Sequence, residues 1–185
     1  MMSRAYYSAT LEKFLNDQED LVLGELTRHH QFALEDLQRN AWISQIYLLK
    51  NSLTELPGSY LAFEYAIPRM GKRIDIVLLY QGVVFALEFK VGERNYTKSA
   101  LEQSLDYAID LKNFHEKSHN RAIVPIVVAT EAVDHDPVIE SYPDRVFLPI
   151  KSNENNFVSH IKLISSEINE EHDLDPIQWI ESAYK

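Results

Sequence analysis

A mixed α/β fold, with antiparallel and parallel strands in one central sheet flanked by helices, is predicted by three observations. Strand-like runs follow one another at 60–67, 73–80 and 83–90, separated only by turn-forming residues. A helical stretch over about 99–117 then leads to IVPIVVAT, an apolar run of the kind buried on both faces of a parallel sheet. Amphipathic helical patterns lie before and after this block. A three-strand meander, then a helical crossover to a parallel strand, makes a mixed sheet.

Each element has its own signal. Asp17 is a candidate cap for a helix reaching about His30, with Asp20 in its first turn. A longer helix is expected from Leu34 to Leu56, because Trp42, Ile46, Leu49, Leu53 and Leu56 step by 4, 3, 4 and 3 along one stripe. Pro57-Gly58 stops it. Residues 68–71 and Gln81-Gly82 are the hairpin turns. In the helix at 99–117, Leu101, Leu105, Ala108 and Ile109 form the expected buried side. Pro125 marks a strand start or an edge. A further strand is expected at 145–150 and an acidic helix at 155–171, followed by a tail carrying Trp179. Trp42 and Trp179 read as packing residues. The chain is thus expected to form one domain: helices over 1–58, the sheet and its motif helix over 59–150, and a final helix and tail over 151–185.

The 185 residues suffice for one sizeable core. There is no cysteine, which removes disulfides, thiolate zinc sites and cysteine nucleophiles and points to a cytoplasmic location. MMSRAYYSATLEKF lacks the apolar core of a secretory signal. No apolar run approaches the ~18 residues needed to span a bilayer, so no membrane partner is expected. The net charge of −10 argues against a general polyanion-binding surface. Residues 69–121, however, hold nine Lys/Arg against seven Asp/Glu, so the middle of the chain remains able to face phosphate. His29, His30, His115 and His119 make no zinc site. The last two read as a solvated helix end, lacking the acid that H-E-x-x-H supplies.

The charges that call for explanation are Asp75, Glu88 and Lys90, on strands otherwise apolar enough for a sheet core. Paired residue numbers in an antiparallel hairpin have a constant sum. A tip at Arg69-Met70 sets it at 139 and places Glu64 opposite Asp75. A tip at Gln81-Gly82 sets it at 163 and places Asp75 opposite Glu88. Three carboxylates then share one face, with opposed Cβ atoms about 5 Å apart, and Lys90 points the same way. Such a row repels itself unless something offsets it, and Mg²⁺ or Mn²⁺ does so through oxygen ligands. Gln103 and Tyr107, at i and i+4 on the next helix, project together toward a ligand. A plainer alternative makes Asp75 and Glu88 rim charges, salt-bridged to Arg73 and Lys90 without a metal, and Glu64 a surface carboxylate.

Asp75, the Glu88-Phe89-Lys90 triplet and the following Q-x-x-x-Y helix resemble the PD-(D/E)XK nuclease superfamily, in its RecB-like branch. FEYAIPRMGKRIDIV, LEFKVG and QSLDYAIDLKNFH are similar to the nuclease-like N-terminal domain of bacterial superfamily 1 helicase-like proteins. The resemblance covers about residues 20–183. It implies a restriction-endonuclease-like fold and metal-dependent phosphodiester hydrolysis of nucleic acid, DNA ahead of RNA. Asp75, Glu88 and the Phe89 carbonyl would hold Mg²⁺ or Mn²⁺, with Glu64 as a further ligand. Lys90 would position the attacking water and steady the phosphorane. Gln103, Tyr107 and Arg73 would contact substrate. The family's helix-borne acid is missing: Gln45 stands where it is expected, and Glu35 lies a few turns earlier. There is no G-x-x-x-x-G-K-[ST], so ATP hydrolysis would fall to a helicase or ATPase partner or to a further C-terminal domain. The alternative function is an inactive nuclease-fold module that binds nucleic acid or docks a helicase.

Overall fold

The computed structural model describes residues 3–30 and 35–185. It is α/β, with six strands in one mixed sheet. The order is β1 (Tyr7–Thr10), β2 (Tyr60–Ile67), β3 (Lys72–Tyr80), β4 (Val83–Lys90), β5 (Ile123–Ala129), β6 (Ile150–Ser152). The first three pairings are antiparallel and the last two parallel. Helix α1 (Leu11–Asn16), α2 (Glu19–His29) and α3 (Asp36–Ser52) precede β2; α4 (Lys98–Phe114) joins β4 to β5; α5 (Phe157–Ile168) and α6 (Pro176–Ile180) follow β6.

The meander forms as its turn residues dictate. Gln81 and Gly82 both take positive φ, 50° and 78°, the two-residue turn whose twist matches that of its strands. The pairs Tyr80↔Val83 through Ile76↔Leu87 keep the sum of 163, and Tyr60↔Leu79 through Ile67↔Lys72 keep 139. Pro125 lies within β5 rather than at its start. Its missing N–H is tolerated because the outer neighbour pairs at Val146 and resumes only at Ile150, leaving a gap beside it. The expected strand at 145–150 is correspondingly reduced to that bridge plus β6.

Core packing fills both faces. Trp42, Ile46, Leu49, Leu53 and Leu56 are all at most 1% exposed and pack on Phe63, Leu78, Phe85 and Leu87. Each fully buried aliphatic side chain there contributes roughly 2 kcal/mol. On the other face Tyr107, Ala108 and Leu111 of α4, with Trp179, cover Val77, Leu79, Val84 and Ala86. The expected start of α3 at Leu34 lies outside the described residues.

Other points depart from the sequence reading. Asp17 does not cap α2; its carboxylate accepts from Tyr7 Oη (2.7 Å) and Lys13 Nζ (2.6 Å), and Gln18 precedes the helix. Strand β1 and helix α1 were not anticipated. Ile109 is exposed, since the buried stripe of α4 runs through Ser104, Tyr107, Ala108 and Leu111. His115 is fully buried instead of solvated: Nε2 meets Tyr65 Oη (3.0 Å), Nδ1 meets Ser118 Oγ (2.7 Å), and the Trp179 ring lies tilted against it with centroids 4.3 Å apart.

Candidate active site

Regular pairing between β3 and β4 ends at Ile76↔Leu87, and beyond it side chains replace the ladder. Phe89 N–H donates to Asp75 Oδ2 (2.9 Å), and Asp75 N–H donates to Glu88 Oε1 (3.2 Å). Each carboxylate therefore clasps the opposite strand, and the two acids stand side by side. Leu87 and Phe89 belong to the α3 core, so Glu88 and Lys90, alternating with them, face α4. In an extended strand a residue's N–H and C=O leave the same edge. The Phe89 carbonyl thus opens toward the gap where Asp75 sits.

Glu64 behaves differently. By extension of the register it stands across from Asp75, but its φ is +53°, a left-handed conformation that a non-glycine residue rarely adopts inside a strand. The side-chain alternation reverses there. Leu61 and Phe63 join the α3 core, whereas Tyr65 and Ile67 join the α4 core; on β3, Ile76 and Ile74 divide in the same way. The Glu64 carboxylate accepts from Trp42 Nε1 (3.0 Å) and its carbonyl from Arg73 Nη1 (2.6 Å). Arg73 also donates to the Arg4 carbonyl and lies 4.1 Å over the Tyr6 ring. Its guanidinium is thus committed largely to the protein. The role of Trp42 in holding Glu64 has no signal in the sequence beyond its place in an apolar stripe.

The electrostatics follow from burial. Glu88, 5% exposed, is pushed well above the usual carboxylate range by burial and then by the charge of Asp75. Asp75 is raised by burial against the opposing pull of the Phe89 N–H and Lys90. Glu64 is pushed up to about 7 by burial and by Asp75. Burial and the charges of Glu88, Asp75 and Glu64 raise the Tyr107 phenol, keeping it protonated. Among the described residues no ion pair within 4 Å involves Glu64, Asp75, Glu88 or Lys90, so the rim salt bridges to Arg73 and Lys90 of the plainer alternative are not made.

Two adjoining hollows flank this cluster. One, of about 380 Å³, is walled by Trp42, Glu64, Arg73, Gln103 and Tyr107; the other, of about 300 Å³, by Lys90, Thr97, Gln103 and Asp106. They share Lys72 and Gln103. Helix α4 delivers Gln103 and Tyr107 because Thr97 caps its start, its hydroxyl accepting from Ala100 N–H (3.1 Å). The predicted residues Asp75, Glu88, Lys90, Gln103 and Tyr107 thus converge.

Donor chemistry fits a hard cation: two carboxylates, each with one oxygen beyond its backbone bond, and a peptide carbonyl. Glu64 is not drawn in with them. Among the described residues no group of three His, Asp or Glu side chains is gathered to hold one ion. Gln45 is buried and Glu35 exposed, so neither supplies the missing acid. Among the described residues no helix is long and apolar enough to cross a membrane. No protein-family model, curated protein or solved structure matches this chain.

Proposed function

We propose that this chain is a divalent-metal-dependent phosphodiesterase acting on nucleic acid, DNA ahead of RNA, built on the restriction-endonuclease-like plan of the PD-(D/E)XK superfamily. The observation that carries the reading is the clasped pair Asp75–Glu88, Glu88 buried and Asp75 half-buried, with no cation within ion-pair reach among the described residues. Asp75, Glu88 and the Phe89 carbonyl would hold Mg²⁺ or Mn²⁺. Such an ion, when bound, supplies Lewis-acid polarisation of a phosphoryl oxygen and neutralises its charge.

The chain's own groups divide the remaining work. Lys90, facing the same side as Glu88, offers a positive charge to the phosphorane oxygens and a donor to the attacking water. The Gln103 amide, exposed to both hollows, donates to substrate phosphate or base. Tyr107 stays a neutral donor at physiological pH. Arg73 serves by fixing the backbone of Glu64, and it lines the larger hollow at the same time. Strand separation falls to a helicase or ATPase partner in this proposal.

A second reading, an inactive nuclease-fold module, is favoured by one observation: Glu64 stays with Trp42 and does not join the other two acids. Single- and double-stranded DNA incubated with Mg²⁺ or Mn²⁺ separates the two. Cleavage by the wild type, lost by at least a hundredfold in Asp75→Asn and Lys90→Ala, is expected. Asp75→Asn is the sharper control, because its amide oxygen still accepts from Phe89 N–H. Uncleaved substrate, or full activity in both variants, sinks the enzymatic reading. Mg²⁺ is also expected to raise the thermal midpoint of the wild type and leave that of Asp75→Asn unchanged.

A further inference from the structure

Lys72 opens β3, and its backbone is fixed directly opposite Ile67. Directly opposed residues share a face of the sheet, and Ile67 belongs to the α4 core. The Lys72 side chain therefore faces α4, as Glu88 and Lys90 do. It is exposed, and it lines both hollows that flank the acid pair. Its ammonium makes no hydrogen bond and no ion pair among the described residues. Arg73, the next residue, is instead held by two backbone carbonyls and the Tyr6 ring.

The two hollows differ in charge. The larger sets Lys72 and Arg73 against Glu64 alone, whose carboxylate already accepts from Trp42. The smaller sets Lys72 and Lys90 against Glu102 and Asp106. An anion carried by Lys72 is thus favoured in the larger hollow. There Tyr107, only 3% exposed, presents a hydroxyl that makes no hydrogen bond among the described residues and is not closed to solvent. Lys72 and Asp75 are three residues apart on β3, about 10 Å. The phosphate that Lys72 reaches is therefore not the one an ion between Asp75 and Glu88 would hold, but its neighbour along the strand. Resting on the phosphodiesterase reading above, we propose that Lys72 is a substrate-binding residue: from the larger hollow it grips the phosphate adjoining the scissile one, and Tyr107 donates its hydroxyl to that same group.

The test titrates a short fluorescein-labelled oligothymidylate with the full chain in EDTA, where no metal supports cleavage, reading fluorescence anisotropy over about 20 to 200 mM KCl. The wild type is expected to bind saturably, with an affinity that falls as salt rises. Lys72→Gln should weaken binding about tenfold at the low-salt end. It should also flatten the slope of log K against log salt by about 0.7, the loss of one phosphate contact on a single strand. Lys72→Arg should restore both. Lys162→Gln, an equal loss of charge on α5, should change neither. In Mg²⁺, Lys72→Gln should raise KM about tenfold with kcat within about twofold of wild type. A wild type that does not bind overturns the inference, as does Lys72→Gln with undiminished affinity and slope, or an equal loss in Lys162→Gln. Failure of the phosphodiesterase reading is a separate result: binding that depends on Lys72, with no cleavage in Mg²⁺ or Mn²⁺, keeps the phosphate contact and leaves an inactive nucleic-acid-binding module.

Discussion

Glu64 combines a left-handed backbone at φ +53° with a carboxyl raised to about 7 by burial and the charge of Asp75. A carboxyl whose folded pKa exceeds its unfolded value near 4.5 binds more protons when folded. It therefore lowers stability as pH rises through about 4.5 to 7 and leaves it lower above that window. Glu64→Gln keeps an acceptor for Trp42 Nε1 and removes the charge. We expect it to match the wild type at pH 4.5 and to gain roughly 1–2 kcal/mol at pH 8, the shift being discounted for partial exposure. Urea unfolding at the two pH values checks this; an equal gain at both would assign the effect to packing. Trp42, read from sequence as a packing residue, is buried as expected and also donates to Glu64.

At the scale of elements, the β3–β4 hairpin sets the site, because its register decides that Asp75 meets Glu88. Gly82 holds that register. Its φ is +78°, and a Cβ there would lie 2.8 Å from both Glu170 Cγ and the His172 carbonyl. Gly82→Ala is expected to cost roughly 1–3 kcal/mol from the backbone alone, and more because the His172 carbonyl must move. Chemical denaturation measures the loss, and a change below 0.5 kcal/mol would contradict the assigned turn. Strands β2 to β4 were legible because turn chemistry and alternation are local. Strand β1, only four residues long, was not, since what makes it a strand is its antiparallel partner Tyr60 to Phe63, some fifty residues away.

Across the whole molecule, two sets of buried groups pull stability in opposite directions. The neutral imidazole of His115 is pushed down to about 3 by burial, and that of His160 is lowered for the same reason. Histidines held neutral contribute stability that is complete above about 6.5 and lost as pH falls below it. Burial raises Asp75, Glu88 and Glu64, which favours lower pH. His115→Asn should flatten the acid-side loss between about pH 6.5 and 4, whatever its effect on absolute stability. Denaturation midpoints across that range test it, and an unchanged slope would remove His115 from the account. His115 is sealed by the chain's end: Trp179 Nε1 donates to Ser118 Oγ (2.9 Å), and Glu116 N–H donates to the Ala183 carbonyl (2.9 Å).

The sequence by itself determined the α/β class, the meander with its two hairpin sums, the apolar stripe from Trp42 to Leu56, and the shared helix face of Gln103 and Tyr107. All of these rest on periodicity, turn chemistry and spacing over a few residues. Tertiary structure alone decided that Glu64 reverses its strand toward Trp42, that Gln45 is buried with an acceptor unmet among the described residues, and that His115 is interior. Each depends on a partner distant along the chain, and burial is a property of where segments meet, which no local pattern records.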